Sequence, residues 1–341
     1  PEQHADRAGG LAKVLGGMMR ALLVADRKDW SYWAIAQALM KHNPDPNFSI
    51  DVMALKGNES QFLSVEKQYD RVLVMGWQMA ESRSMRMALD GDRWLTGMHS
   101  HHSFDPDLLT TPDHDVMPPW PLILFLRKFR GVNAVSDRLW RLFSDEKLEN
   151  VKSHPEYRIN PTYTSNGVDT EVFKPMAPLS IDGPLRVGVA YTDKGIHAKR
   201  KGVEEFIRPA CGKVGAVLVE AKARSEQHVR PEDMPAWHNS YDVYCCASSS
   251  EGFSIAVLEA AACGRPVIST QVGGSTELIK QGVNGFLVHR DVDTIANRLS
   301  WLAENRDQLE HMGHLSRLVA LADWSWEKRA TAWLEFLKAL T

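Results

Sequence analysis

Thirteen residues from Ser248 to Ala260, Ser-Ser-Ser-Glu-Gly-Phe-Ser-Ile-Ala-Val-Leu-Glu-Ala, follow an apolar strand-like run and open a helical pattern. A helix N-terminus presents unpaired N–H groups and the positive end of its dipole, which suits a diphosphate, and Gly252 lets the backbone approach a ligand closely. Phe253 and Ser254 belong to the same turn. Glu251 then stands at the mouth of any cleft above the strand. Glu259, about two turns further into the helix, could accept hydrogen bonds from ribose hydroxyls, so that one carboxylate faces a sugar and the other a nucleoside. The plainer alternative is that Glu251 caps the helix and Glu259 is a solvated helix residue. For two glutamates alone that alternative is favoured, and the surrounding residues must decide.

The elements that would position this turn are those of an α/β protein. Apolar runs at 21–25, 50–55, 71–75, 94–98 and 133–136 read as strands separated by helices or loops, with a helix at 31–41. A polar, proline-containing passage at 153–184 interrupts the alternation. It resumes with strands at 185–190, 216–220, 243–247, 266–270 and 285–288, helices near 203–211 and 254–263, and a final helix from 326 to 340. This is the pattern of two doubly wound parallel sheets, each covered on both faces, with ligands beyond the carboxyl ends of the strands.

Length and composition agree: 341 residues exceed the usual size of one core, so two domains and a cleft are expected. Apolar content of 44% and charged content of 24% are those of a globular chain, and a net charge of -3 gives no footprint for nucleic acid. Cys211, Cys245, Cys246 and Cys263 show no metal-ligand spacing and read as buried thiols in a reducing compartment. No run reaches the roughly 18 apolar residues of a membrane span, and no signal-peptide core precedes residue 18, so a cytoplasmic location is expected. Residues 1–17 are left out of the fold argument.

Several spaced motifs around the turn carry a resemblance. Asn166 to Pro175 (Asn-Gly-Val-Asp-Thr-Glu-Val-Phe-Lys-Pro), Tyr241-Asp242-Val243, the Glu251/Glu259 pair, and Gly264 to Thr270 (Gly-Arg-Pro-Val-Ile-Ser-Thr) come in that order. Gly273, Gly274, Glu277 and Gly282 to Val288 follow them. The set resembles the retaining glycosyltransferases of the family-4 type, glycosyl transferases group 1, from about residue 133 to the C-terminus. The resemblance implies a GT-B fold: an acceptor-side Rossmann-like domain at 18–173, a nucleotide-sugar domain at 174–325, and a helix at 326–341 crossing back to the first domain. It also implies transfer of a sugar from a UDP- or GDP-sugar to an acceptor hydroxyl, the nucleotide-sugar being a co-substrate and no cofactor being needed. Glu251 would position the sugar, Glu259 the ribose, and Lys201 before Gly202 would stabilise the departing diphosphate. With a lysine charge and a helix dipole available, and with no Asp-x-Asp triplet expected to hold an ion, no metal is expected.

The resemblance is incomplete in two places. Where the family has Gly-Arg after the first strand of its second domain, this chain has Ala190-Tyr191, and Lys194, His197 or Lys199 would have to substitute. Where the family has a Gly-rich first turn, this chain has Asp26, Arg27, Lys28, Asp29, Trp30 and Trp33. Asp26 and Trp30 there are acceptor-side candidates, the tryptophans forming either a platform for a sugar ring or core at helical spacing. His99 matches the family's cleft histidine and could bind a sugar hydroxyl or assist proton transfer. His101 and His102 are acceptor-side or surface residues, spaced too tightly for a zinc site without a fourth ligand.

The acceptor class is open between saccharide, small molecule, lipid carrier and polymer. The apolar-to-basic run 118–130 would be a buried helix or would rest on a membrane surface. Contacts near 224–229 would select the base. A nucleotide-sugar epimerase or hydrolase on the same fold, and a silent nucleotide-sugar-binding protein, are the competing readings.

Overall fold

The computed structural model describes residues 18–28, 30–100, 118–144, 159–176, 179, 182–192, 195–223 and 228–339. The first half runs β1 (Met19–Ala25), α1 (Ser31–Lys41), β2 (Phe48–Ala54), α2 (Glu59–Val65), β3 (Arg71–Val74), α3 (Arg83–Ala88) and β4 (Trp94–Met98). It continues with α4 (Trp120–Leu126), β5 (Gly131–Ala134), α5 (Asp137–Ser144) and β6 (Thr162–Tyr163). The second half runs β7 (Arg186–Tyr191), α6 (Gly195–Lys201), α7 (Arg208–Val214), β8 (Val217–Lys222), α8 (Met234–His238), β9 (Val243–Cys246) and α9 (Ile255–Ala262). Then come β10 (Val267–Thr270), α10 (Ser275–Leu278), β11 (Gly285–Val288), α11 (Val292–Glu304), α12 (Arg306–Asp323) and α13 (Trp326–Lys338).

Two parallel sheets result, with strand orders β2-β1-β3-β4-β5-β6 and β11-β10-β9-β7-β8. Their strands are short, apolar and buried on both faces, as parallel sheets under helical layers require. In β9 the period of two sends Val243 and Cys245 to the face packed by α7 and α11, and Tyr244 and Cys246 to the face packed by α9. Adjacent Cys245 and Cys246 therefore belong to different cores, and all four thiols are free and buried. In each sheet the order reverses beside its first strand, between β1 and β3 and between β7 and β9. Loops leaving the carboxyl ends at those points diverge and leave a crevice.

Two features that the sequence reading did not give bear on the site. The basic stretch at 195–201, given no element in the sequence reading, is the helix α6, which ends at Gly202 in a left-handed conformation (φ +62°) and passes into a π-helical turn at Val203–Ile207. The passage 153–184 contributes β6 to the first sheet through pairing with β5. Run 118–130 contains α4 and follows the buried-helix alternative: Leu122, Ile123, Phe125 and Leu126 are buried and Leu124 is exposed.

Helix α13 belongs to the first core, where Trp326, Ala330, Trp333, Leu334, Phe336 and Leu337 pack with the strands β1 and β3 to β5. The chain crosses between sheets twice, side by side: Val168 N donates to Trp324 O (2.9 Å) and Trp326 N to Val168 O (3.1 Å). Among the described residues no helix is long and apolar enough to cross a membrane.

Candidate active site

Helix α6, which follows β7, and the loop after β9 bring Lys201 and Glu251 together at the second sheet's crevice. Lys201 Nζ donates to Glu251 Oε1 at 2.6 Å, Ser248 Oγ donates to the same oxygen at 2.7 Å, and Arg200 Nη1 lies 2.8 Å from it. Burial alone would raise the Glu251 carboxyl, but the Arg200 and Lys201 charges and the hydrogen bonds from Lys201 and Ser248 hold it at about 2. Arg290 fixes α6 against β9, donating from Nε to Ala247 O (2.8 Å) and from Nη2 to Lys199 O (2.6 Å). Gly202 is required at this junction because a Cβ would stand 2.8 Å from Ala247 O.

Helix α9 begins at Ile255, so Glu259 lies four residues inside it, about 6 Å along the axis rather than two turns. His238, fully buried at the end of α8, meets Glu259 with Nε2 3.1 Å from Oε2. Both glutamates are thus held by one oxygen each. Among the described residues nothing donates to Glu251 Oε2 or Glu259 Oε1. Ser254 precedes α9 in an extended conformation, leaving the first N–H groups of the helix without intrahelical acceptors. Phe253 packs on Trp324, with ring centroids 5.5 Å apart.

From the first domain, the chain after β4 closes on the β9–α9 loop. A Cβ at Gly252 would stand 1.6 Å from the carbonyl oxygen of His99, so only glycine permits the approach. Gly252→Ala should therefore cost about 1–3 kcal/mol or push the two loops apart. A lowered melting temperature, or a larger radius of gyration by X-ray scattering, is the expected outcome. Unchanged values in both would show that these loops do not touch in solution.

The ring of His99 lies between Tyr32 and Trp333, with centroids at 4.9 and 6.1 Å, and among the described residues its buried Nε2 has no hydrogen-bond partner. Burial pushes its imidazole down from 6.5 to about 3. The unfolded chain binds the proton more tightly, so this stabilising contribution is complete above pH 6.5 and is lost as pH falls toward 3. His99→Gln should flatten the acid limb of the melting-temperature profile between pH 6.5 and 4, and an unaltered limb would place its origin elsewhere.

Asp26 follows β1 and, with Lys56, Gly57, Glu59 and Ser60, lines an open depression of about 390 Å³. Trp30 is 39% exposed, its ring under the Arg27 guanidinium at 4.1 Å, which removes the core alternative for that residue. Lys199 extends from the exposed side of α6, and Lys194, His101 and His102 lie outside the described residues. Arg200, Ser248, His238 and Arg290 carry the geometry without having been singled out. Only Arg200 had a signal, its place in the basic run before Gly202. Asp-x-Asp triplets do occur, and those at Asp90–Asp92 and Asp291–Asp293 serve turns: Asp90 holds Arg93 and the Asp92 N–H, and Asp291 caps α11 through Thr294.

Two facing Rossmann-like domains, with a terminal helix returned to the first, define the GT-B glycosyltransferase architecture. The Anabaena protein HepE, solved in complex with UDP-glucose, superposes with a TM-score of 0.68, covering 94% of this chain and 100% of that one at 15% identity. Residues 213–305 match the family model of glycosyl transferases group 1. The GDP-mannose-dependent alpha-(1-6)-phosphatidylinositol monomannoside mannosyltransferase of Mycobacterium tuberculosis is 33% identical over 118 residues, 32% of this chain and 31% of that enzyme. The match thus spans less than a third of that relative's length. Alpha-maltose-1-phosphate synthase of the same organism is 25% identical over 304 residues, 73% of this chain and 78% of that protein.

Proposed function

We propose that this protein is a retaining, metal-independent glycosyltransferase that moves a sugar from a UDP- or GDP-sugar to an acceptor hydroxyl. The observation that carries the reading is the pair of anchored glutamates at the second sheet's crevice, Glu251 held by Lys201 and Glu259 by His238. Each has one oxygen held from the protein side, and among the described residues nothing donates to the other, which we assign to the ligand. The diphosphate lies at the N-terminus of α9, Glu259 takes the ribose hydroxyls, and Glu251 takes hydroxyls of the sugar.

As the bond between the anomeric carbon and the diphosphate oxygen breaks, charge grows on the leaving group. Lys201 and the α9 dipole stabilise it. The acceptor oxygen forms its new bond on the same face, and its proton passes to a leaving phosphate oxygen, so no protein nucleophile is consumed. HepE, in complex with UDP-glucose, and the GDP-mannose-dependent enzyme support a nucleotide-sugar donor and leave the base open between uracil and guanine. Four free, buried thiols suit the cytoplasm as the working compartment.

A thermal-shift panel of UDP, GDP, ADP and their sugar conjugates in chelator, on the native protein and Glu259→Ala, tests the donor site, because selective binding raises apparent stability. One nucleotide family should raise the melting temperature of the native chain and lose most of that effect in the variant. No shift from any nucleotide overturns the reading. Release of free sugar without an acceptor would replace it with a hydrolase.

A further inference from the structure

Beneath Glu259 lies a buried relay that the reaction chemistry does not itself use. His238 has no solvent exposure, and its ring is walled by Trp237 (4.8 Å between centroids), Tyr241 (5.8 Å) and Phe173 (5.8 Å), each packed edge-on. Its two nitrogens have different partners: Nδ1 meets the Tyr241 hydroxyl, and Nε2 meets Glu259 Oε2 at 3.1 Å. We propose that His238 is a positioning residue for donor recognition, clamping Oε2 of Glu259 so that Oε1 is presented to the vicinal hydroxyls of the donor ribose. This rests on the proposed function.

The proton positions follow from the neighbours. Burial pushes the Tyr241 phenol well above its ordinary range, so it keeps its proton and donates to Nδ1. The remaining ring proton is then on Nε2, the nitrogen that faces the carboxylate, and an N–H placed behind a ligand-facing group in this way fixes both tautomer and orientation. An unclamped glutamate would sample several rotamers and lose entropy on meeting the ribose. Imidazole suits the place because it spans from phenol to carboxylate with donor and acceptor on opposite edges of a rigid ring.

The test compares the dissociation constants of UDP and GDP with those of their 2′,3′-dideoxy counterparts, by calorimetry, for the native chain, His238→Phe, His238→Gln and Tyr241→Phe. The native chain should prefer the ribonucleotide of its donor by about 10–100-fold, the worth of charge-assisted hydrogen bonds. In His238→Phe that preference should fall to about threefold or less while the dideoxy affinity stays put. His238→Gln, whose amide N–H can reach Glu259, should recover at least part of it. A preference retained in His238→Phe, or an equal loss of both affinities with no rescue by glutamine, overturns the clamp. If His238→Phe does not fold, Tyr241→Phe decides: the preference should drop, and an unchanged value overturns the proposal. A native chain that binds neither ribonucleotide overturns the donor-site reading itself, which sets that failure apart from the clamp's.

Discussion

Lys201→Met is expected to lower kcat for sugar transfer by about 10²–10³-fold, the usual worth of one preorganised electrostatic contact to a transition state. The lysine ends α6, and its Nζ rests 2.6 Å from Glu251 Oε1 with the side chain one-fifth exposed. It can therefore turn from the carboxylate to a diphosphate without unpacking a core. Its loss does not strand Glu251, which keeps Arg200 at 2.8 Å and Ser248 at 2.7 Å, so the fold should lose only about 1 kcal/mol. The effect should lie in kcat, because charge on the leaving group grows as the bond breaks. Lys199→Met, on the exposed side of the same helix, should lose less than about tenfold, since charges in solvent are screened. Single-turnover rates with the donor found in the thermal-shift panel, alongside melting curves, make the comparison. Equal losses in the two variants would assign the effect to a diffuse basic field, and an unaffected Lys201→Met would remove the lysine from the chemistry.

Much of the scaffold was legible because parallel strands are buried on both faces and their sequence is locally apolar. β4 and β11 fall where the apolar runs put them, and α1 runs from Ser31 to Lys41 as its periodicity requires. The helix α6 was hidden. Its sequence, Gly-Ile-His-Ala-Lys-Arg-Lys, has no apolar stripe, and it is fastened to the sheet by Arg290, nearly a hundred residues away, through the carbonyls of Lys199 and Ala247.

The partners within the site were hidden for a related reason. Glu251 and Glu259 could be found from their spacing around a strand-helix turn, but spacing says nothing of what stands behind a carboxylate. Arg200 reaches Glu251 across fifty residues, and His238 reaches Glu259 from a five-residue helix too short to show a period. Gly252 illustrates the limit from the other side. Read as a residue that lets a ligand approach, it also accommodates the His99 carbonyl of the other domain, a contact that only the assembled fold reveals.

Glu251→Gln should be the most damaging single change, for activity and fold together. The amide keeps the volume but removes the anion shared by Arg200 and Lys201, whose side chains are only 10% and 20% exposed. Leaving such cations without their partner costs about 3–5 kcal/mol when burial is complete, and less here because Lys201 can turn toward water. Sugar transfer should fall by at least about 10²-fold, since an amide neither accepts hydroxyl donors as strongly nor keeps Lys201 in register. The pH dependence separates the ionic contribution from simple repacking. The carboxyl titrates at about 2 in the folded chain against an ordinary 4.5, so the unfolded chain takes up the proton first as the solution is acidified. The stability that Glu251 supplies is therefore complete above pH 4.5 and is withdrawn as pH falls toward 2. The gap in unfolding free energy between native chain and Glu251→Gln should be constant from pH 7 to 5 and narrow by about 2 kcal/mol between pH 4.5 and 3. A gap that stays constant to pH 3 would mean that Gln fails through its shape alone, and that Arg200 and Lys201 do not depend on the carboxylate's charge.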